Sequence, residues 1–103
     1  MSSTDSDDPA KAPGAVTRIL KIVNEKGLHA RASAKFVQMV EKFDAKVTVS
    51  HKGDSAGGDS IMGLMMLAAG IGTSITVTAT GPQAQEVISA LDTLVSTRFG
   101  EDE

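Results

Sequence analysis

The chain predicts an α+β fold in two layers: a single, mainly antiparallel sheet with helices covering one of its faces. Three observations carry that expectation. The clearest strand patterns, around Val47 and Val77, have one apolar and one polar face, as a sheet with one solvated side requires. The two longer helical patterns, before Phe43 and after Pro82, each carry an apolar stripe that needs a surface to lie on. The order along the chain, β-α-β-(β)-α-β-α, interleaves the two kinds of element.

Residues 1–14 are rich in serine, aspartate and proline with almost nothing to bury, and are expected to form a disordered acidic tail. The domain is expected over residues 15–99. From Val16 to Val23 aliphatic and β-branched residues predict a strand; Leu20 and Ile22 share a face, although Ile19 and Val23 blur the alternation. Asn24 to Gly27 reads as a loop. His29 to about Phe43 follows helical spacing, with Ala32, Phe36, Val37, Val40 and Phe43 on one side and Lys35, Gln38, Glu41 and Lys42 solvated on the other.

Ala45, Val47 and Val49 alternate with Lys46, Thr48 and Ser50, a half-buried strand that leaves His51 at its end. Lys52-Gly53-Asp54 reads as a turn, and Ser55 to Gly58 as a short strand weakened by its glycines. A second helix is expected from Ile61 to about Ala69, capped by Asp59 or Ser60 and stopped by Gly70 and Gly72. Ser74 to Thr80 alternates most cleanly of all. Gly81-Pro82 opens the last helix, with proline in its first turn, and Ala84, Val87, Ile88, Leu91, Leu94 and Val95 supply the stripe. Residues 100–103 form an acidic end that should fray.

Composition narrows the function. The length of 103 residues allows one domain with a modest core. The absence of cysteine removes disulfides, thiolate catalysis and cysteine-ligated zinc. Two histidines supply a metal site poorly, so no metal and no cofactor are expected. A net charge of -3 and only three aromatic residues, all phenylalanine, speak against nucleic acid as a partner. An acidic N-terminus and the lack of a membrane-length apolar run predict a cytoplasmic protein without membrane attachment.

The most informative stretch is Gly27-Leu28-His29-Ala30-Arg31-Ala32-Ser33. It places an imidazole at the start of a helix, where free backbone N–H groups and the helix dipole favour an anion. A guanidinium follows two residues later and adds charge-assisted hydrogen bonds to phosphate oxygens. The arrangement suits a histidine that accepts a phosphoryl group and passes it on. The dipole contributes about 0.3–1 kcal/mol to such a site, or up to ~2 when it is partly buried.

Together with Lys42-Phe43-Asp44-Ala45 and Asp59-Ser60-Ile61-Met62-Gly63-Leu64, that stretch resembles HPr, the histidine phosphocarrier family of the bacterial phosphoenolpyruvate-dependent phosphotransferase system. The resemblance spans about Ile19 to Phe99. It implies a four-stranded antiparallel sheet under three helices. It makes His29 the acceptor of a phosphoryl group, on Nδ1, from phosphorylated enzyme I, and Arg31 the residue that stabilises the phosphate. The group then passes to an enzyme IIA-type acceptor, so the chain is a stoichiometric carrier without turnover of its own.

Ser60 matches the serine that HPr kinase/phosphorylase modifies in some lineages. Ala79-Thr80-Gly81-Pro82-Gln83 and the acidic tail are closer to the nitrogen-related branch, NPr, whereas the Ser60 segment is closer to the regulated HPr proteins. The main departure from the family is Ala32, which stands where proline is usual; alanine should lower stability slightly and leave the site intact.

Ile61 to Leu67 is apolar around nearly its whole circumference, more than one layer can bury. Ile61, Met62 and Met65 are therefore expected in an exposed partner-binding patch near the His29 loop, with Ala30 beside them. A phosphate on Ser60 would gain from the helix dipole, be opposed by Asp54 and Asp59, and hinder an acidic partner. A monomer is expected. Two other readings compete: a docking module of the same fold without histidine phosphotransfer, and a small-ligand regulatory domain of another α+β family.

Overall fold

The structure, a computed structural model, describes residues 14–100. Its elements are β1 (Val16–Lys21), α1 (Ala30–Val40), β2 (Lys46–His51), β3 (Asp54–Gly57), α2 (Ile61–Met66), β4 (Ser74–Thr80) and α3 (Ala84–Ser96), followed by a 3₁₀ turn at Arg98–Gly100. The strands form one antiparallel sheet in the order β1-β4-β2-β3. The expected four-stranded sheet with three helices is therefore the fold. The tails expected at residues 1–14 and 100–103 lie outside the described residues, apart from Gly14 and Gly100.

Alternation decides which face is covered. Val47, Val49, Ile75, Val77 and Ala79 point inward and are buried, while Thr48, Ser50 and Thr76 lie on the opposite face, which no helix covers. Phe36 of α1, Leu64 of α2 and Leu91 of α3 each reach 0% exposure against this sheet. Each such side chain contributes about 1.5–3 kcal/mol through removal from water. Lys52 and Gly53 both have positive φ, the type I′ geometry whose twist suits a two-residue hairpin between β2 and β3.

Five local expectations need correction. α1 ends at Val40, capped by Glu41, and not near Phe43. β1 stops at Lys21, although Ile22 stays buried and exchanges bonds of 2.8 Å with Gly72 and Thr73. α2 ends at Met66 rather than Ala69, because Ala68 turns to a φ of 55° and releases the chain toward the loop before α1. Pro82 stands before the cap of α3 instead of in its first turn. The cap is Gln83, whose N–H donates to the Asp44 carbonyl at 3.0 Å and whose Oε1 accepts from the Asp44 N–H at 2.7 Å. Lys35, expected on the solvated side, donates through Nζ to the Phe99 carbonyl at 2.6 Å, and this holds the final turn with Phe99 only 1% exposed.

Candidate functional site

The site begins with a loop pinned from three directions. Asn24 is fully buried and donates through Nδ2 to the Gly27 carbonyl at 2.9 Å, while the Gly27 N–H returns to the Asn24 carbonyl at 3.2 Å. The Leu28 N–H donates to the Ala69 carbonyl at 3.0 Å, and the buried Ser33 hydroxyl donates to the Leu28 carbonyl at 3.2 Å. Gly27 has a φ of +63°, and a Cβ there would run into the Ala69 carbonyl and come within 2.9 Å of the Gly70 Cα. Only glycine meets both demands.

This loop delivers His29 to the N-cap of α1 in extended conformation, with φ of -75° and ψ of -178°. Its Nδ1 accepts a hydrogen bond from the Arg31 N–H at 3.3 Å, and its own carbonyl accepts from the Ser33 N–H at 2.9 Å. An acceptor Nδ1 carries a lone pair, so in this arrangement a neutral ring holds its proton on Nε2. The imidazole is half-exposed. Ala30 and Arg31 are exposed, and the Arg31 guanidinium has no carboxylate partner among the described residues. The Ala30 and Ala32 N–H groups, like the opening donors of any helix, have no intrahelical partner. The opening amides of α1 and the basic side chain of Arg31 thus share one helix start with a nitrogen that carries a lone pair. That arrangement can attack phosphorus and then hold the transferred anion.

α2 packs beside α1 and completes the face. Leu64 and Leu67 point into the core, whereas Ile61, Met62 and Met65 are 40%, 68% and 38% exposed, as expected. More of this segment is uncovered than the sequence predicts: Met66 and Ile71 are 79% and 57% exposed as well. Ser60 caps α2 through Oγ, which accepts from the Gly63 N–H at 3.0 Å. Because the exit of α2 is tied to Leu28, Ser60 sits at the far end of this helix from the loop. The six residues between them span about 9 Å at the rise of an α-helix.

Asn24 and Ser33, which hold the loop, were missed in the sequence; the turn preference of asparagine was the available signal for the first. His51 ends β2 almost buried, with Nδ1 3.1 Å from the Ser74 carbonyl, and belongs to the structural frame. Among the described residues no cluster of three metal-ligating side chains occurs, and no helix is long and apolar enough to cross a membrane.

The family model for the PTS HPr component phosphorylation site matches residues 16–97. The chain belongs to the HPr phosphocarrier family. It is 50% identical over 82 residues to phosphocarrier protein HPr of Cupriavidus necator, covering 80% of this chain and 92% of that one. It is also 37% identical over 84 residues to phosphocarrier protein NPr of Shewanella violacea, covering 82% and 92%. In structure it is similar to HPr-C-His from Thermoanaerobacter tengcongensis, with a TM-score of 0.81 at 35% identity over 85% of this chain and 99% of that one. Membership of the HPr family supports a phosphocarrier role in the phosphotransferase system.

Proposed function

We propose that Nδ1 of His29 is the phosphoryl acceptor, that phosphorylated enzyme I is the donor and phosphoenolpyruvate the source, and that an enzyme IIA-type protein receives the group. One observation carries the reading: the Nδ1 lone pair is held at the opening of α1 by the Arg31 N–H, in a ring that solvent reaches. In the transfer, this lone pair forms a bond to phosphorus while the donor's bond to phosphorus breaks, and the donor group leaves with that electron pair. The proton on Nε2 stays in place. The 3.3 Å bond from Arg31 is long and is given up as the phosphoryl group takes its position. The Arg31 N–H then faces the new anion, with the Arg31 guanidinium able to join it. Transfer of this kind needs placement and charge stabilisation rather than a catalytic base on the carrier.

Ala30, Ile61, Met62 and Met65 form the docking face for both partners, with Met66 and Ile71 extending it. Ser60 is a regulatory phosphorylation site for an HPr kinase/phosphorylase, and the downstream acceptor belongs to a nitrogen-related or regulatory system. The Ala79–Gln83 segment is what favours that acceptor.

The test is incubation of the protein with phosphoenolpyruvate and enzyme I, followed by intact mass analysis. Wild type should gain one phosphoryl group, labile in acid and stable in alkali, and His29→Ala should gain none. A His29→Ala protein that is labelled as well as wild type rejects the assignment. Docking without labelling of wild type would instead favour an interaction module of the same fold. Parallel assays with acceptors of the sugar and nitrogen types discriminate the pathway, and ATP with HPr kinase/phosphorylase on wild type and Ser60→Ala tests regulation.

A further inference from the structure

The chain has five methionines and three of them, Met62, Met65 and Met66, lie on the six-residue α2. Met62 and Met66 are separated by one helical turn and are 68% and 79% exposed, whereas Met65 is 38% exposed and Met39 packs half-buried against the core. The chain contains no cysteine, tryptophan or tyrosine. The thiolates that ordinarily react first with peroxide are therefore missing, and the exposed thioethers are the most accessible oxidisable groups among the described residues.

We propose that Met62 and Met66 form a reversible oxidation site that switches the docking face off. The oxidant is a peroxide. A thioether lone pair attacks one peroxide oxygen, an S–O bond forms as the O–O bond breaks, and the other oxygen leaves as water after taking up the proton. Sulfur is oxidised to sulfoxide and the peroxide oxygen is reduced. The reverse step takes a pair of thiols, as in a methionine sulfoxide reductase: the S–O bond breaks, the oxygen departs as water and the thiols become a disulfide.

Geometry gives this chemistry its effect. The exit of α2 is bound to the His29 loop through Leu28 and Ala69, so the helix that carries both exposed methionines lies next to the loop a phosphoryl donor must reach. A thioether is apolar and adapts to its partner's shape, whereas a sulfoxide is strongly polar and resists burial without a hydrogen-bond donor opposite it. The fold is spared because Leu64, at 0% exposure, and not a methionine, anchors α2 in the core.

The inference rests on the docking role proposed for α2, and the experiment separates the two. The full chain is treated with hydrogen peroxide, peptide mapping ranks the methionines, and transfer from enzyme I and calorimetric binding to enzyme I are measured before and after. Met66 and Met62 should oxidise ahead of Met65 and Met39, and both transfer and binding should fall about tenfold. A methionine sulfoxide reductase should restore them. The triple variant Met62→Leu/Met65→Leu/Met66→Leu, compared with its own untreated sample, should show a ratio near one. Earlier oxidation of Met39, or unchanged binding with Met62 and Met66 fully converted, overturns the inference. If untreated wild type accepts no phosphate, the carrier reading fails, while calorimetry and mapping still decide the oxidation site.

Discussion

The Leu28 N–H donates to the Ala69 carbonyl at 3.0 Å, which joins the loop carrying the candidate histidine to the exit of α2. Gly27 makes this approach possible, with φ of +63° and no room for a Cβ. Gly27→Ala should therefore lower stability by about 2–3 kcal/mol, read by urea denaturation, and slow phosphorylation of whatever remains folded. A variant as stable as wild type would mean the loop has another way to pass Ala69.

Arg31 is exposed and makes no ion pair among the described residues, so its removal should leave the fold alone. Arg31→Ala is expected within about 0.5 kcal/mol of wild type in thermal denaturation. Its phosphoryl transfer from enzyme I should slow by about tenfold, the loss of one charge-assisted hydrogen bond to the anion. Equal rates would remove the guanidinium from the site.

Met62 is 68% exposed, and a charge there meets solvent in the free protein. Met62→Asp should unfold at the same denaturant concentration as wild type and bind enzyme I at least about tenfold more weakly by calorimetry. An unchanged affinity would move the docking surface elsewhere.

Ala32 is the third residue of α1, where the backbone N–H has no intrahelical acceptor. A proline ring closing onto that nitrogen therefore breaks no bond within the helix and restricts the unfolded chain. Ala32→Pro should stabilise the protein by about 0.4–1 kcal/mol, measured by denaturant midpoints, and retain transfer. Destabilisation would show that the buried position cannot take the larger ring.

Features encoded locally were legible in the sequence. The alternation through Val47 and Val77 predicted inward-facing strands, and the stripes from Phe36 to Val40 and from Val87 to Val95 predicted the buried faces of α1 and α3. Gly27, His29 and Arg31 stood out by residue type and spacing, and the fold brings them to one helix opening. What escaped depends on partners distant in sequence. α2 stops early because Ala69 bonds Leu28, Lys35 is engaged because Phe99 folds back to it, and α3 starts only after Gln83 because Asp44 clasps that residue. No local pattern announces such pairings. Met66 and Ile71 escaped for a related reason: an all-apolar helix does not show which residues its neighbours leave uncovered.

The strand order has a consequence for biosynthesis. β4 lies between β1 and β2, so Val16 finds its neighbour only at Ala79 and Val47 finds it at that same residue from the other side. During translation β1 waits without an edge until residues 74–80 clear the ribosome, and a chain halted before that point owns a hairpin and little else. Arrival of this one strand closes both ladders together, so a nascent fragment that lacks β4 also lacks a finished core.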